Sequence, residues 1–350
     1  MRMAQGPQSY PMGRLPDGRD VTCHVIGTDR ISMHVSELGA SVHRLCLQDG
    51  AGPTDVALGH ATIDERLTAR DFMGATVGRY ANRLGRGRFT VDGTSWTVPV
   101  NNGPNALHGG PDGFDRRVWT ISERAADRLV LELESPHGDQ GFPGALQVRV
   151  GYEVVGSGVR ITYRASTDRA TVVSLTNHTY FNLDGEDSAT VDQHVLTVPA
   201  DRVTDVDEDL LPTGELLAVA GTPLDLRAGA VLGRTVRAPH ALVVRARGLD
   251  HNYVPAGTGM RRVATLTAPQ SGRTLAVSSD MPGLQVYTGN FLDGSTAGHS
   301  GTLYRQGAGI ALETQQFPDA PNHPNFPSTT LRPGEVWSAR THWDFTSEPR

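Results

Sequence analysis

The stretch VVSLTNHTYFNLDG, residues 172–185, joins an apolar run to a cluster of polar side chains. The apolar residues 172–175 predict a buried strand. At strand alternation, His178, Tyr180 and Asn182 lie on one face, which places an ionisable ring and a phenol on one surface. That surface is a candidate site, although a lone histidine also fits a hydrogen-bonded role in the core.

Outside this stretch, short alternating apolar runs separated by turn residues recur along the chain, which contains 40 Gly and 22 Pro. Asp92-Gly93 between two such runs predicts a tight hairpin. Residues 63–70 form one of the few helix-like patches, and no stretch keeps a 3.6-residue period. The sequence therefore predicts an all-β fold, one large antiparallel domain with few short helices.

Composition and pattern single out three segments, and no break in composition marks a boundary between domains. Residues 1–17 are rich in Pro and Gly and predict an irregular N-terminal arm, which leaves residues 18–350 as a single β domain. Residues 201–233 are rich in Pro and Asp and predict a connector. The apolar run 241–247 after it predicts a strand.

Charge and residue usage exclude several functions. The net charge of −6 and the pI near 6.1 give no basic surface for nucleic acid or an anionic membrane. The 32 basic residues are all Arg, so chemistry that needs a lysine amine is excluded. Two cysteines and no apolar segment of signal-peptide or membrane-spanning type lead us to expect a cytoplasmic protein with reduced thiols.

Candidate partners for His178 lie in four other segments. Glu313 interrupts the apolar run 310–312, and it either points outward or is buried with a specific partner. Asp250 precedes another strand candidate, Asn82 and Arg83 lie in a Gly-punctuated segment, and His108 lies in a long Gly/Pro/Asn-rich loop. An acid, a base and several hydrogen-bond donors suit a polyhydroxylated ligand, and Tyr180 and Phe291 could cover the apolar face of a sugar ring.

Two other interpretations of these residues are weaker. The arginines of residues 79–88 resemble a phosphate cradle but lack the lysine and the strand–loop–helix context of one. His299, His323 and His342 lack matching carboxylate spacing, and no metalloprotease motif is present. We therefore predict neither a cofactor nor a metal.

Several segments together resemble the aldose 1-epimerase (mutarotase) family: VGRYANRLGRGRF, NNGPNALHGGPDGFDRRVW, GDQGFPG, LTNHTYFNL, LDHNY, LQVYTGNF and ALETQQFPDAPN. They run in order from Gly78 to Asn322. The departures are small: Thr179 stands where Ser is commoner, and the N-terminal arm has no counterpart.

The resemblance implies a galactose-mutarotase-like β-sandwich that interconverts the α and β anomers of free aldohexoses such as galactose and glucose. It assigns Glu313 as general base and His178 as general acid. It assigns substrate contacts to these residues: Asn82, Arg83, His108, Tyr180, Asp250 and Gln285. The acid role needs a protonated His178, so we expect a neighbouring carboxylate, Asp250 or Glu313, to raise its pKa.

Three alternatives stay open at this point. One is a glycoside hydrolase that uses Asp250 and Glu313 as its paired carboxylates. Another is a sugar-binding module without catalysis, and a third is an epimerase of hexose phosphates that uses Arg79 and Arg86. For any of these, the expected partner is a small sugar, and the chain is expected to be a monomer or a weak dimer.

Overall fold

The computed structural model describes residues 8–49 and 52–347, so the first seven residues of the predicted arm lie outside the described part. Strands dominate, and their bounds in chain order follow. The first ten are β1 Gln8–Arg14, β2 Asp20–Gly27, β3 Ile31–Ser36, β4 Ser41–Gln48, β5 Pro53–Asp55, β6 Thr76–Val77, β7 Arg83–Leu84, β8 Arg88–Val91, β9 Thr94–Thr97 and β10 Ala106–Leu107. The next ten are β11 Thr120–Arg124, β12 Arg128–Ser135, β13 Leu146–Val155, β14 Gly158–Thr167, β15 Thr171–Val172, β16 Thr176–Asn177, β17 Tyr180–Phe181, β18 Val195–Thr197, β19 Ala200–Val206 and β20 Pro212–Ala218. The last ten are β21 Ala230–Val231, β22 Asp250–Pro255, β23 Arg261–Ala268, β24 Arg273–Ser279, β25 Gly283–Tyr287, β26 Asp293–Ala297, β27 Leu303–Arg305, β28 Ile310–Gln315, β29 Thr330–Leu331 and β30 Trp337–Ser347.

The helices of the described residues are short: α1 Ile63–Thr68, α2 Leu232–Thr235 and α3 Ala241–Ala246. Helix α1 matches the helix-like patch of the sequence and begins with a reciprocal cap between Thr62 and Glu65. Among the described residues, no helix has the length and hydrophobicity to cross a membrane.

Antiparallel pairing joins the strands into three principal sheets. A five-stranded sheet has the order β1-β2-β3-β4-β5, and a six-stranded sheet the order β17-β28-β25-β22-β19-β20. A nine-stranded sheet has the order β11-β12-β13-β14-β30-β24-β23-β18-β21. The all-β prediction is confirmed.

One large hydrophobic core connects the three sheets. It contains Met33 of the five-stranded sheet, Val150 and Ile161 of the nine-stranded sheet, and Leu284 and Leu312 of the six-stranded sheet. Each of these strands therefore buries one side-chain face against another sheet, as in a β-sandwich. The opposite face of the six-stranded sheet is left for a site.

The predicted irregular arm is wrong for residues 8–14, which form the edge strand β1. Pro11 tolerates this position because an edge strand does not need every N–H for pairing, and the register shifts between Pro11 and Gly13. A side chain at Gly13 would meet Ile63 of α1, since an added Cβ lies 2.7 Å from Ile63 Cγ2. The division of the chain into a short arm and one domain stays a prediction.

The predicted connector at residues 201–233 is also wrong, because β19 and β20 form a hairpin at the edge of the six-stranded sheet. The apolar run 241–247, predicted as a strand, contains α3. His240 accepts a hydrogen bond from the Leu242 N–H at 3.3 Å, and Arg247 ends the helix in a left-handed conformation. Leu242 and Ala246 are buried one helical turn apart while Val244 is 67% exposed, a helical pattern too short to recognise in the sequence.

Two local predictions differ in outcome. The Asp92-Gly93 hairpin is confirmed, since β8 and β9 pair and both turn residues have positive φ, 50° and 77°. The apolar run 172–175, predicted as one strand, is divided between β15 and a single bridge from Ser174 to Tyr80. This break lets the chain turn between β15 and β16 before it reaches His178.

Candidate active site

A pocket of about 370 Å³ lies at the polar face of the six-stranded sheet. The pairing register places Tyr287 of β25 beside Asp250 of β22, and Gln285 beside Glu313 of β28. Side chains two residues apart on a strand share a face, so Asp250, Gln285 and Glu313 all lie on this side of the sheet. Leu284 and Leu312 lie on the other side, in the core.

His178 and Glu313 meet at the bottom of this pocket. The backbone of His178 is fixed by two hydrogen bonds, one from its N–H to Ala75 O at 2.8 Å and one from the Gly74 N–H to its carbonyl at 3.0 Å. Its Nε2 lies 3.5 Å from Glu313 Oε1, too far for a strong hydrogen bond. His178 Nδ1 and Glu313 Oε2 are buried and have no hydrogen-bond partner among the described residues. Both groups therefore retain capacity to bind a ligand's hydroxyl groups.

Burial controls the protonation of this pair. It raises the pKa of Glu313 well above its usual range, with Asp250 adding to the rise and Arg83 opposing it. Burial also lowers the pKa of His178 to about 4, although Asp71 and Asp250 oppose the decrease. The prediction that a carboxylate raises the His178 pKa is therefore wrong, because desolvation outweighs the carboxylates. Without a ligand, the pair favours a carboxylic acid and a neutral imidazole.

His108 and Asn82 hold each other in place beside the pair. The Asn82 N–H donates to His108 Nδ1 at 3.1 Å, and the His108 N–H donates to the Asn82 carbonyl at 3.0 Å. Both residues have left-handed backbones, with φ of 63° at Asn82 and 52° at His108. Since Nδ1 accepts, the proton of neutral His108 resides on Nε2, and burial lowers the pKa of this ring well below its usual value. His108 thus offers the pocket one N–H donor.

Gly109 allows this loop to approach the neighbouring chain. Its φ is 91°, and an added Cβ would lie 2.0 Å from Gly78 O. A side chain at this position would push the loop, and His108 with it, away from the pocket.

Arg83 and Asp250 form the second polar pair of the pocket. Arg83 Nη2 lies 3.7 Å from Asp250 Oδ2, and Arg83 Nε donates to Asn102 Oδ1 at 3.1 Å. Gln285 does not line the pocket; its Nε2 donates to Asp250 Oδ1 at 2.5 Å. Gln285 therefore orients Asp250 here, and its direct contact with a substrate stays a prediction.

Aromatic side chains complete the pocket wall. The Tyr180 ring centroid lies 4.9 Å from that of His178, and Phe291 at the mouth is 53% exposed. Phe72 and Tyr287 also line the pocket and were missed by the sequence analysis. Tyr287 follows Gln285 by two residues in a strand, so the period of two could have located it. Phe72 has φ 59°, a conformation that no sequence signal indicates.

Other residues singled out in the sequence lie elsewhere. The Asn182 side chain is fully buried and donates to the carbonyls of Ser188 and Ala308, which makes it structural. Arg79 is 1% exposed and donates to backbone carbonyls, including those of residues 135, 143 and 144. Arg86 is exposed and does not line the pocket. The geometry therefore does not favour a phosphate site built on Arg79 and Arg86.

The described residues contain one group with the donor types of a metal site, His108, His178 and Glu313, whose donor atoms lie within 4.8 Å of one another. The donor set does not fit a divalent cation well. His108 Nδ1 is occupied by the Asn82 N–H, which leaves a protonated Nε2, and the Arg83 guanidinium lines the same pocket. Chemistry without a metal stays our prediction.

The fold and the pocket define a β-sandwich protein with a buried acid–base site, and the comparisons with known proteins identify an enzyme that acts on carbohydrates. The family model described as aldose 1-epimerase matches residues 22–344. The galactose mutarotase of Rattus norvegicus is 40% identical over 337 residues, 95% of this chain and 97% of its own. The aldose 1-epimerase of Escherichia coli K12 is 39% identical over 310 residues, 87% of this chain and 88% of its own.

Solved structures agree with this relationship. An aldose epimerase homologue from C. elegans superposes with a TM-score of 0.86 at 30% identity, covering 93% of this chain and all of that one. A galactose 1-epimerase from Lactobacillus acidophilus NCFM also gives 0.86, at 27% identity, covering 98% of this chain and 99% of that one. The chain belongs to the aldose 1-epimerase family.

Proposed function

We propose that this protein interconverts the α and β anomers of free aldoses, with Glu313 as general base and His178 as general acid. The observation that carries the proposal is the buried pair itself. In a fold of this family, a carboxylate and an imidazole lie 3.5 Å apart in one pocket, and each has a buried atom without a hydrogen-bond partner among the described residues.

The reaction follows from the bonds that must change. Glu313, as carboxylate, removes the proton of the C1 hydroxyl while the C1–O5 bond breaks and C1 becomes an aldehyde. His178, as imidazolium, gives its proton to O5, which becomes the C5 hydroxyl. Rotation about C1–C2 turns the other face of the aldehyde toward O5. Ring closure then runs the two proton transfers in reverse, and no redox or covalent step is needed.

The electrostatics of the pocket favour the ring-opening step. The reactive form carries Glu313 as an anion and His178 as a cation, the two states that burial disfavours. Ring opening neutralises both groups at once. Binding a sugar must therefore move the shared proton from Glu313 to His178, and sugar hydroxyls that donate to Glu313 would stabilise its anion.

The rest of the pocket suits an uncharged sugar. We infer that Asn82, Arg83 and His108 donate hydrogen bonds to sugar oxygens and that Asp250, fixed by Gln285, accepts from a hydroxyl. Tyr180 and Phe291 would cover the apolar face of the ring. The pocket is lined by three aspartates, residues 71, 250 and 293, against two arginines, residues 70 and 83, and this acidic balance does not favour a phosphorylated sugar. Free aldohexoses such as galactose and glucose are therefore the substrates proposed.

Three finer predictions extend this proposal. The protein is expected to act as a monomer or weak dimer, to be cytoplasmic, and to need no nucleic acid or membrane. Light scattering across a hundredfold range of protein concentration would test the first of these, and cell fractionation the second.

Polarimetry tests the proposed function directly. Freshly dissolved α-galactose, α-glucose and α-xylose should each lose their excess optical rotation faster with the protein than without it. A glycoside hydrolase that uses Asp250 and Glu313 would instead release the aglycone from an aryl galactoside. A protein that binds galactose but leaves the rate of mutarotation unchanged would be a binding module, and the proposal would be wrong.

A further inference from the structure

The segment between α1 and β6 forms one wall of the pocket and has no assigned role. Its residues Asp71 and Phe72 both line the pocket. The Asp71 side chain is 12% exposed and the His60 side chain beside it 2%, so the two are buried within the wall. Residue 60 follows β5, and the contact therefore joins two separate parts of the chain.

Asp71 connects four elements around the pocket. Its Oδ2 lies 3.0 Å from His60 Nε2, and its Oδ1 accepts from the Met73 N–H at 3.3 Å. Thr296 Oγ1 of β26 donates to Oδ2 at a longer distance, 3.4 Å. The backbone carbonyl of Asp71 accepts the Tyr180 hydroxyl proton at 2.9 Å. One residue thus ties its own loop to the segment after β5, the β26 hairpin and the strand that follows His178.

Phe72 continues this arrangement toward the reacting groups. Its ring centroid lies 4.5 Å from that of His108 and 6.0 Å from that of His178. Its left-handed backbone places the ring there, and the fixed carboxylate of the preceding residue restrains that backbone. His178 therefore has two aromatic rings beside it, Phe72 and Tyr180, and Asp71 anchors both.

We infer that His60 and Asp71 are a positioning pair for the proton-transfer site: they hold Phe72 and Tyr180 against the His178 ring and place a fixed negative charge near it. The inference rests on the proposed function, because it assigns the pair a role in that reaction. Neither residue needs to touch the sugar. His60, whose Nε2 faces an acceptor-only carboxylate, supplies the N–H that orients Asp71.

The charge of Asp71 is well placed to act on His178. Burial opposes ionisation of Asp71, but the hydrogen bonds from His60 and the Met73 N–H and the charge of Arg66 favour it, and the pKa of Asp71 is lowered. The other ionisable groups that line the pocket with His178 come from separate elements: Arg70 after α1, Arg83 of β7, His108 after β10, Tyr180 of β17, Asp250 of β22, Tyr287 of β25, Asp293 of β26, Tyr304 of β27 and Glu313 of β28. Asp71 is a carboxylate that the proposed reaction does not use, and unlike Asp293 it is not exposed.

The sign of its effect can be worked out. The active pair holds one proton, so activity falls at low pH when a second proton binds and at high pH when the last one leaves. A nearby negative charge favours the protonated forms of His178 and Glu313, so it raises the pH at which activity falls on both the acid and the alkaline side. Removing it must therefore shift both limbs of the pH profile of kcat/KM toward lower pH.

The test compares Asp71→Asn, His60→Gln and the double variant in the polarimetric assay with α-galactose. Asp71→Asn should lower kcat by about tenfold with little change in KM, because misplaced catalytic groups affect the chemical step more than binding. Both limbs of its pH profile should move to lower pH. His60→Gln keeps an N–H donor and the Asp71 charge. Its kcat should therefore fall less than that of Asp71→Asn, and its pH profile should not move to lower pH. The double variant should be no worse than Asp71→Asn, as expected for residues that act as a unit.

Asp64→Asn is the matched control, because it removes the same charge from an exposed position on α1 and should leave both rate and profile unchanged. If Asp71→Asn keeps the wild-type rate and profile, the inference is overturned. A folded Asp71→Asn with reduced kcat and an unshifted profile would also overturn it, since that is what a structural role alone produces. If Asp71→Asn does not fold, the single variants His60→Gln and Thr296→Val take its place. An unchanged kcat in both of them would overturn the inference. Failure of the proposed function is distinguishable, because then the wild-type protein itself is inactive.

Discussion

The two sides of the pocket are held in place by different means. On the sheet side, Asp250 and Glu313 project from neighbouring parts of the β22-β25-β28 ladder, whose backbone hydrogen bonds fix their spacing. On the loop side, His108 and Phe72 depend on left-handed backbones and on a few hydrogen bonds, such as the one that the Asn82 N–H donates to His108 Nδ1. The difference teaches that a sheet can fix acid–base geometry tightly, while loops supply contacts that can be adjusted. Substitutions on the two sides should therefore differ in size and in the kinetic constant they change.

Glu313→Gln on the sheet side should have the largest effect. The amide preserves shape but cannot accept the C1 hydroxyl proton, so kcat should fall by about 10²–10⁴-fold. Stopped-flow polarimetry with α-galactose measures this. Glu134→Gln, an exposed position on β12, is the matched control and should be neutral. A near-normal kcat in Glu313→Gln would refute its role as base.

His178→Asn should be the next largest, with kcat reduced by roughly 10²-fold or more because O5 loses its proton donor. Galactose binding, measured by calorimetry, should weaken much less than kcat falls. This combination separates a lost proton transfer from a collapsed pocket. A proportional loss of binding and rate would instead assign His178 to substrate binding.

His108→Asn tests the loop side and should cost less, about 10-fold in kcat/KM. The substitution removes the Nε2 donor and disturbs the bond to the Asn82 N–H, but it leaves the proton-transfer pair in place. Progress curves over a range of galactose concentrations would divide the loss between kcat and KM. A loss of activity in His108→Asn as large as that in Glu313→Gln would contradict the proposed difference between the sheet side and the loop side.

The same division explains what the sequence could predict. Glu313 was singled out because a carboxylate follows the apolar run of strand β28, but the pattern also allowed an outward-pointing side chain, and the family resemblance assigned its role. Its pairing with Gln285 is seen only in the structure. The segments that carry the family resemblance identified Asn82, Arg83 and His108, and all three line the pocket. Their geometry was not accessible, because it depends on left-handed residues whose φ values have no compositional signal.

Asp71 and the protonation of His178 show where sequence reasoning ends. Asp71 lies next to a helix end and is unremarkable in the sequence, and only the folded chain brings it to His60, Thr296 and Tyr180. The sign of the His178 pKa shift was predicted wrongly because neighbouring charges can be guessed from a sequence, whereas the depth of burial cannot.

Arg83→Lys should have a smaller effect than the histidine variants, and it should fall on KM. Lysine keeps the positive charge but not the planar fork, and it loses the bond from Nε to Asn102 Oδ1. KM for galactose should rise several-fold while kcat changes by about twofold or less. The control is Arg88→Lys, an exposed arginine on β8. A change confined to kcat would place Arg83 in the chemical step instead.

The smallest expected effect is that of pH near neutrality. The pKa of His178 is about 4, so a second proton binds the pair, and activity falls, only as the pH drops toward that value. The pKa of Glu313 is raised well above its usual range, so the last proton leaves the pair only at higher pH. Between these limits the pair keeps one proton, and kcat/KM should not fall as the pH drops from about 7 to about 6, the range in which an ordinary imidazole takes up a proton. Initial rates corrected for spontaneous mutarotation at each pH would measure this plateau. A steep change centred near pH 6.5 would mean that His178 titrates as an ordinary exposed imidazole and that burial does not control the chemistry of the pair.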